Sequence, residues 1–260
     1  MSKISASMAK TGFVVFSLLL SASSFAAGTI NICSDKNLWY PFTFVEDRKS
    51  TGLHVDIITE ALTNLGYEIN FQPLPWKRCL SASEDGDFDA IATASYKDQR
   101  AEFLNYPADA ATAKKSKERV MQVEYSVVTV AAEAYEFTGD VSTIPEPVRV
   151  PRGYSVGDGL KKQGVKVDDG ASGDEKNIKK LLRMGKGSVV TLPQIVDLLT
   201  QKDAYKDKLY VSKTPVKSKS YYFPFSKKSA IPSAEQAKIW TEIASVRNNA
   251  NFMEKASSKY

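Results

Sequence analysis

The chain has 260 residues, 43% hydrophobic and 25% charged, with 14 Gly, 11 Pro, 2 Cys and a single His. That balance excludes a collagen-like, disordered, coiled-coil or disulfide-dense chain. A formal net charge of +5, from 35 basic and 30 acidic residues, is too mild for a nucleic-acid binder without a concentrated patch.

Met1 to Ala26 carries Lys3 and Lys10 and no acid, then the apolar run Phe13 to Leu20, then small residues ending Ser24-Phe25-Ala26. Basic, apolar and small is the order of a secretory signal, and the run is too short to span a bilayer. The expected mature chain is residues 27–260, exported and soluble, since no later apolar run approaches the ~20 residues of a spanning helix. Export places Cys33 and Cys79 in an oxidising compartment that permits a bridge; two unpaired buried thiols are the alternative. Two cysteines and one histidine are too few soft ligands for a closed metal site, so neither a metal nor a cofactor is expected.

Thr29 to Cys33 reads as a first strand, with Ser34-Asp35 opening a loop through Trp39-Tyr40-Pro41-Phe42. Val55, Ile58, Leu62 and Leu65 recur at spacings of 3, 4 and 3, one face of an amphipathic helix stopped by Gly66. Tyr67 to Phe71 alternates as a strand that Pro73 and Pro75 should end. A short helix from Trp76 to Ser83 leads to Gly86 and a third strand, Ala90 to Thr93. This order implies an α/β fold with a parallel sheet and right-handed crossovers. The pattern then starts again. Tyr125 to Val130 and Val148 to Val150 read as strands, and a helical segment follows Gly153-Tyr154-Ser155. Ile178, Leu181 and Leu182 mark another helix before Gly185-Lys186-Gly187 and the strand Ser188 to Thr191. A helix, a glycine turn and an apolar strand thus occur twice, around Gly86 and Gly185, as expected of two similarly built lobes. Tyr221 to Phe225 precedes a closing helix whose face carries Ile239, Ile243 and Val246.

Several of these segments together resemble the family 3 extracellular solute-binding proteins, the periplasmic receptors of polar amino-acid ABC importers. They are Trp39-Tyr40-Pro41-Phe42, Gly52-Leu53-His54-Val55-Asp56-Ile57, Leu65-Gly66-Tyr67, Gly153-Tyr154-Ser155 and Tyr221-Tyr222-Phe223-Pro224-Phe225. The most specific is Gly86-Asp87-Phe88-Asp89-Ala90-Ile91 running on to Asp98-Gln99-Arg100, and Pro75-Trp76-Lys77-Arg78-Cys79-Leu80 is similar to one subgroup. The resemblance covers essentially the whole mature chain. It implies a two-lobed periplasmic binding protein of type II, with parallel-rich sheets and a hinged cleft. Lobe one would be residues 27–123 plus 218–260 and lobe two the inserted 124–217. The hinges would lie near Glu124-Tyr125-Ser126 and Val216-Lys217-Ser218. It also implies a periplasmic monomer, a small carboxylate ligand, and a membrane ABC permease or sensor as partner.

By the resemblance Arg100 matches the arginine that grips the ligand carboxylate, a task suited to a planar guanidinium fork. Read alone, it is an ordinary solvated arginine. Thr93 and Ser95 precede it at a strand end, where their hydroxyls would meet a polar ligand head or simply cap the loop. Gly153, Tyr154 and Ser155 would aim backbone N–H groups from the facing lobe, with Ser155 as a plain N-cap the alternative. Trp39, Tyr40 and Trp76 are candidates for aromatic walls around the ligand's side chain, with plain core packing the alternative for each; Trp39 has the strongest case, from its place in the loop after the first strand. Asp35 would pair with a ligand amine or cap its loop, and Arg78 would reach the cleft or lie exposed. His54 has no partner pattern for catalysis or metal binding and reads as structural or exposed.

One departure from the family pattern matters. Members that bind α-amino acids offer an acid to the ammonium group after the second lobe's glycine turn. Here Thr191-Leu192-Pro193-Gln194 contains none, and Asp197 falls in the following helix. A carboxylate is therefore the better supported ligand class. Two other readings stay open. A dehydratase-like enzyme on this fold would need a lone acid such as Glu46 or Asp35, since no nucleophile–histidine–acid set is present. The basic run Lys114 to Arg119, with Lys213, Lys217 and Lys219, would serve a polyanion surface. No aromatic residues interleave with the first run, so no nucleic-acid partner is expected.

Overall fold

The protein is described by a computed structural model over residues 27–260. The secretory signal read over Met1 to Ala26 lies outside the described residues. Two mixed sheets, each with its own apolar core, face one another. In the first, the strand Ala27–Asp35 runs parallel to Tyr67–Leu74 on one side and to Ala90–Ile91 on the other. Phe225–Ser226 then pairs antiparallel with Ala90–Ile91 and with Leu104–Asn105. The stripe read from Val55 to Leu65 is the helix Leu53–Asn64, which buries Ile57, Ile58, Ala61 and Leu62 completely. The helix Ser233–Asn248 packs against it through Ile239, Trp240, Ile243 and Val246. Each such side chain contributes roughly 1.5–3 kcal/mol by leaving water.

Two boundaries differ from expectation. Tyr67–Leu74 runs on through Pro73, because it is an edge strand, where a missing N–H costs no ladder bond. The third strand is only Ala90–Ile91: the chain bends at Ala92-Thr93, and Ala94–Ser95 crosses to the other sheet to pair with Tyr222 and Tyr221.

The second sheet has the order Val167–Asp168, Val148–Arg149, Ser188–Thr191, Met121–Val130, Lys217–Tyr222, Ala94–Ser95, with Leu209–Val211 also on Met121–Val130. Its core holds Val127, Val128, Val148, Val189 and Val190, covered by Ile178 and Leu181 of the helix Asp174–Met184. Both halves of the weak repeat are present, since the helices Trp76–Asp85 and Asp174–Met184 each stop at a glycine before a buried strand. Met121–Val130 and Lys217–Tyr222 form an antiparallel ribbon in which Glu124 faces Ser218 and Tyr125 faces Lys217. Among the described residues, no helix is long and apolar enough to cross a membrane.

Cys33 and Cys79 are joined in a disulfide, with Cα atoms 5.7 Å apart and both residues fully buried. The bridge pins the first strand to the helix Trp76–Asp85, and so fixes the segments that carry Asp35 and Trp76. Gly52 fixes another corner. Its φ is +115°, and a Cβ there would stand 2.4 Å from the Phe42 carbonyl oxygen. Leu53 and His54 donate their N–H groups to the Pro41 and Phe42 carbonyls at 2.8 and 2.9 Å, so the turn carrying Trp39 leans on this glycine. Gly52→Ala is expected to cost about 3 kcal/mol, from backbone strain plus overpacking, read as a lower urea midpoint at unchanged slope.

Candidate functional site

Between the sheets lies a cavity of about 30 Å³. Residues 27–123 contribute Asp35, Trp39, Trp76, Thr93, Ser95 and Arg100, and the facing segment 124–217 contributes Tyr154 and Ser155, all of them residues singled out in the sequence. Thr43 and Tyr221 complete the wall.

Arg100 lies in the short helix Asp98–Ala101 and is 5% exposed. Its Nη1 donates to the Ser95 carbonyl at 2.9 Å and to Ser95 Oγ at 3.2 Å, and its Nη2 to the Gly153 carbonyl at 3.3 Å. The guanidinium carbon sits 5.0 Å from the Trp76 ring centre, a cation–π contact that holds the fork flat. Every one of those hydrogen-bond acceptors is neutral. Among the described residues no carboxylate lies within 4.0 Å of a guanidinium nitrogen of Arg100.

Ser95 Oγ and Ser155 Oγ meet across the cleft at 2.7 Å. Lys219 Nζ, from the return strand, donates to Ser155 Oγ at 2.9 Å. Burial first, then the charges of Arg100, Lys217 and Lys97, push the Lys219 amine down to about 8. Two cations from distant segments therefore converge on one serine pair. Lys97 and Asp158 pair nearby.

The other end of the cavity is acidic. The partly buried Asp35 accepts from Asn37 N at 3.0 Å, Asn37 Nδ2 at 3.3 Å and Tyr154 OH at 2.8 Å. Burial outweighs those bonds and holds its carboxyl above the ordinary value. Asp174, behind the cavity wall rather than on it, opens the helix Asp174–Met184 and is 3% exposed; burial pushes its carboxyl up to about 7. The aromatic wall is tight: Trp39 lies 4.6 Å from Tyr221 and 5.3 Å from Phe42, centre to centre. Tyr221 and Tyr125 share a buried hydroxyl–hydroxyl bond.

Other expected residues fall elsewhere. Gly153 uses its carbonyl, which accepts from Arg100 and from Trp76 Nε1 at 3.1 Å. Ser155 is the first residue of the helix Ser155–Lys161, and Tyr154 holds the cap position without a side-chain bond. Arg78 is exposed on its helix, outside the cavity. Tyr40 faces away and donates to the Tyr260 carbonyl. Glu46 is exposed on a short hairpin. His54 is fully buried against Phe42, 3.2 Å from Thr93 Oγ1; desolvation lowers it to about 3, so it is a neutral packing residue. Thr43 and Asp174 escaped sequence reasoning, and Tyr221 and Lys219 entered it only as part of a family motif and of a basic group, because only the fold brings them near the cleft.

A search of curated proteins finds no match. Among solved structures, the chain is similar to a histidine kinase sensor domain with similarity to periplasmic binding proteins, at 14% identity and a TM-score of 0.70, over 89% of this chain and 95% of that one. It is similar to the arginine-, lysine-, histidine-binding protein ArtJ from Geobacillus stearothermophilus, at 15% identity and a TM-score of 0.67, over 89% and 94%. It is also similar to the ancestral amino acid-binding protein AncCDT-1, a precursor of cyclohexadienyl dehydratase, at 14% identity and a TM-score of 0.64, over 90% and 95%. At these identities the likeness is one of fold, a two-lobed mixed α/β architecture. The model for bacterial extracellular solute-binding proteins, family 3, matches residues 30–219, from the first strand through the cavity walls to Lys219. The chain thus belongs to the family 3 bacterial extracellular solute-binding proteins.

Proposed function

We propose that the protein is a receptor that captures a small carboxylate-bearing solute, an amino acid or a related acid, and presents it to a membrane ABC importer. Its lobes would be residues 27–123 with 218–260 and residues 124–217, closing about the ribbon of Met121–Val130 and Lys217–Tyr222. The observation that carries this reading is Arg100, a buried guanidinium with only neutral acceptors, in a cavity walled from both sides. Burying a cation is costly unless an anion compensates it, and a ligand carboxylate would do so bidentately. A cavity of about 30 Å³ accepts about two waters and no amino acid, so binding requires the lobes to part. The Ser95–Ser155 and Arg100–Gly153 contacts would give way and ligand contacts would replace them, which makes closure depend on occupancy.

The family supports a small-molecule solute. We read the protein as a binder rather than an enzyme: His54 is sealed behind Phe42, leaving no basic imidazole on the cavity wall. The test is a thermal-shift screen of purified protein against amino acids and dicarboxylates, each beside its carboxamide counterpart. A genuine ligand raises the melting temperature with dose, following RT ln(1 + [L]/Kd), and its carboxamide does not. Equal shifts from acid and amide would sink the reading.

A further inference from the structure

We propose that Asp174, with Asp35 across the cleft, forms a seat for the ligand's amine, in place of the acid absent at Pro193. This deepens the carboxylate-receptor reading and rests on it. The two carboxylates come from opposite walls. Asp35 ends the first strand, and its loop partner Asn37 lies with Oδ1 3.6 Å from where a Cβ on Gly173 would stand. Gly173 immediately precedes Asp174, so the acidic loop of one wall and the helix start of the other meet here. Tyr154 closes the group by donating to Asp35.

Among the described residues no cation forms an ion pair with either acid. Asp35 accepts only from Asn37 and Tyr154, and among the described residues neither Asp35 nor Asp174 has a lysine or arginine nitrogen within 4.0 Å. The charged and titratable groups facing them are Tyr125, Tyr154 and Tyr221, each neutral at physiological pH because burial raises it, and the exposed Lys36 at a distance. Unsatisfied polar atoms mark the same corner independently. Among the described residues Thr43 Oγ1, on the cavity wall and 2% exposed, has no hydrogen-bond partner. Asn177, one turn along the helix from Asp174 and fully buried, has both amide atoms unpartnered. Thr43 Oγ1 and Asn177 Oδ1 can each accept a hydrogen bond there, beside two acids that no cation pairs. A primary ammonium supplies three donors with a compensating charge. Thr191, where the preceding strand ends, lies beside Asp174 and one residue before the turn that leads to Pro193. The helix start therefore delivers an acid to the place the strand-end turn leaves without one.

The experiment compares standard L-α-amino acids with their 2-hydroxy acid counterparts, which keep the carboxylate and replace the amine by a hydroxyl, using calorimetry on wild type, D174N and D35N. Wild type should prefer the amine-bearing member of a binding pair by at least about tenfold. In D174N that preference should shrink to within about threefold, through a larger loss of affinity for the amino acid than for the hydroxy acid. D35N should move the same way, and serves if D174N does not fold. The seat is refuted if both variants keep the wild-type preference, if hydroxy acids bind wild type as tightly as amino acids, or if no amine-bearing probe binds. An R100A protein that still binds the carboxylate would instead overturn the underlying reading, while leaving the amine preference measurable.

Discussion

Replacing Arg100 by Ala is expected to weaken binding of the carboxylate that stabilises wild type by about 10²–10³-fold, some 3–4 kcal/mol, and to erase its dose-dependent thermal shift. The guanidinium is pre-positioned by Trp76 on one face, by Ser95 from its own side and by Gly153 from the other. Alanine removes the charge and the fork together. It also frees the Gly153 carbonyl from a cross-cleft donor, so closure loses one of its own contacts. Lysine at the same position separates these effects, since it restores a charge without the planar pair of donors. R100K should recover part of the affinity and remain at least about tenfold below wild type. Calorimetry reads both numbers. A wild-type dissociation constant in R100A would show that the carboxylate sits elsewhere.

The second large effect concerns stability against pH. Asp174 has a folded-state carboxyl at about 7, against an ordinary value of 3.8. A helix N-terminus normally lowers an acid by a fraction of a kcal/mol, and here burial overrides it. The folded protein then holds a proton that the unfolded chain has released between those values. Stability is therefore fullest below about pH 4 for this group and is lost as pH rises through about 7, by roughly 4 kcal/mol. Asp35 shifts in the same direction, while Tyr221, pushed up to about 12, stays protonated throughout the window. Urea melts of wild type and D174N between pH 4 and pH 8 isolate the effect. The asparagine variant should match wild type at the acid end and exceed it increasingly toward pH 8. Parallel profiles would mean that Asp174 titrates normally.

Much of the architecture was legible because apolar periodicity survives folding. The Val55-to-Leu65 stripe became a buried helix face, and Ser188 to Thr191 became a strand buried along its length. What could not be read were events set by partners distant in sequence. Nothing local in Ala94-Ser95 says that it leaves one sheet for another, because its pairing is with Tyr221 and Tyr222, more than a hundred residues on. Pro73 reads locally as a stop, since whether a strand is an edge depends on the whole sheet. For the cavity, Arg100 looked like a surface residue until family likeness placed it, and the sequence offered no physical signal for its burial. Asp174 is the first residue of its helix, a position where an acid is ordinary, so nothing local marks its carboxyl as buried. Lys219 read as one member of a solvated basic group, whereas its amine reaches Ser155 from the returning strand. Arg78 shows the converse: a basic residue in a suggestive motif whose side of the helix faces water.

The order of strands in the first sheet has a consequence for biosynthesis. Ala90–Ile91 and Leu104–Asn105 do not touch each other; both await Phe225–Ser226, which fills the space between them. A polypeptide leaving the ribosome amino end first cannot zip this half shut until residue 226 has emerged, and closing so long an excursion is slow. Until then those two short strands lack the neighbour they share, and this half of the molecule stays unfinished.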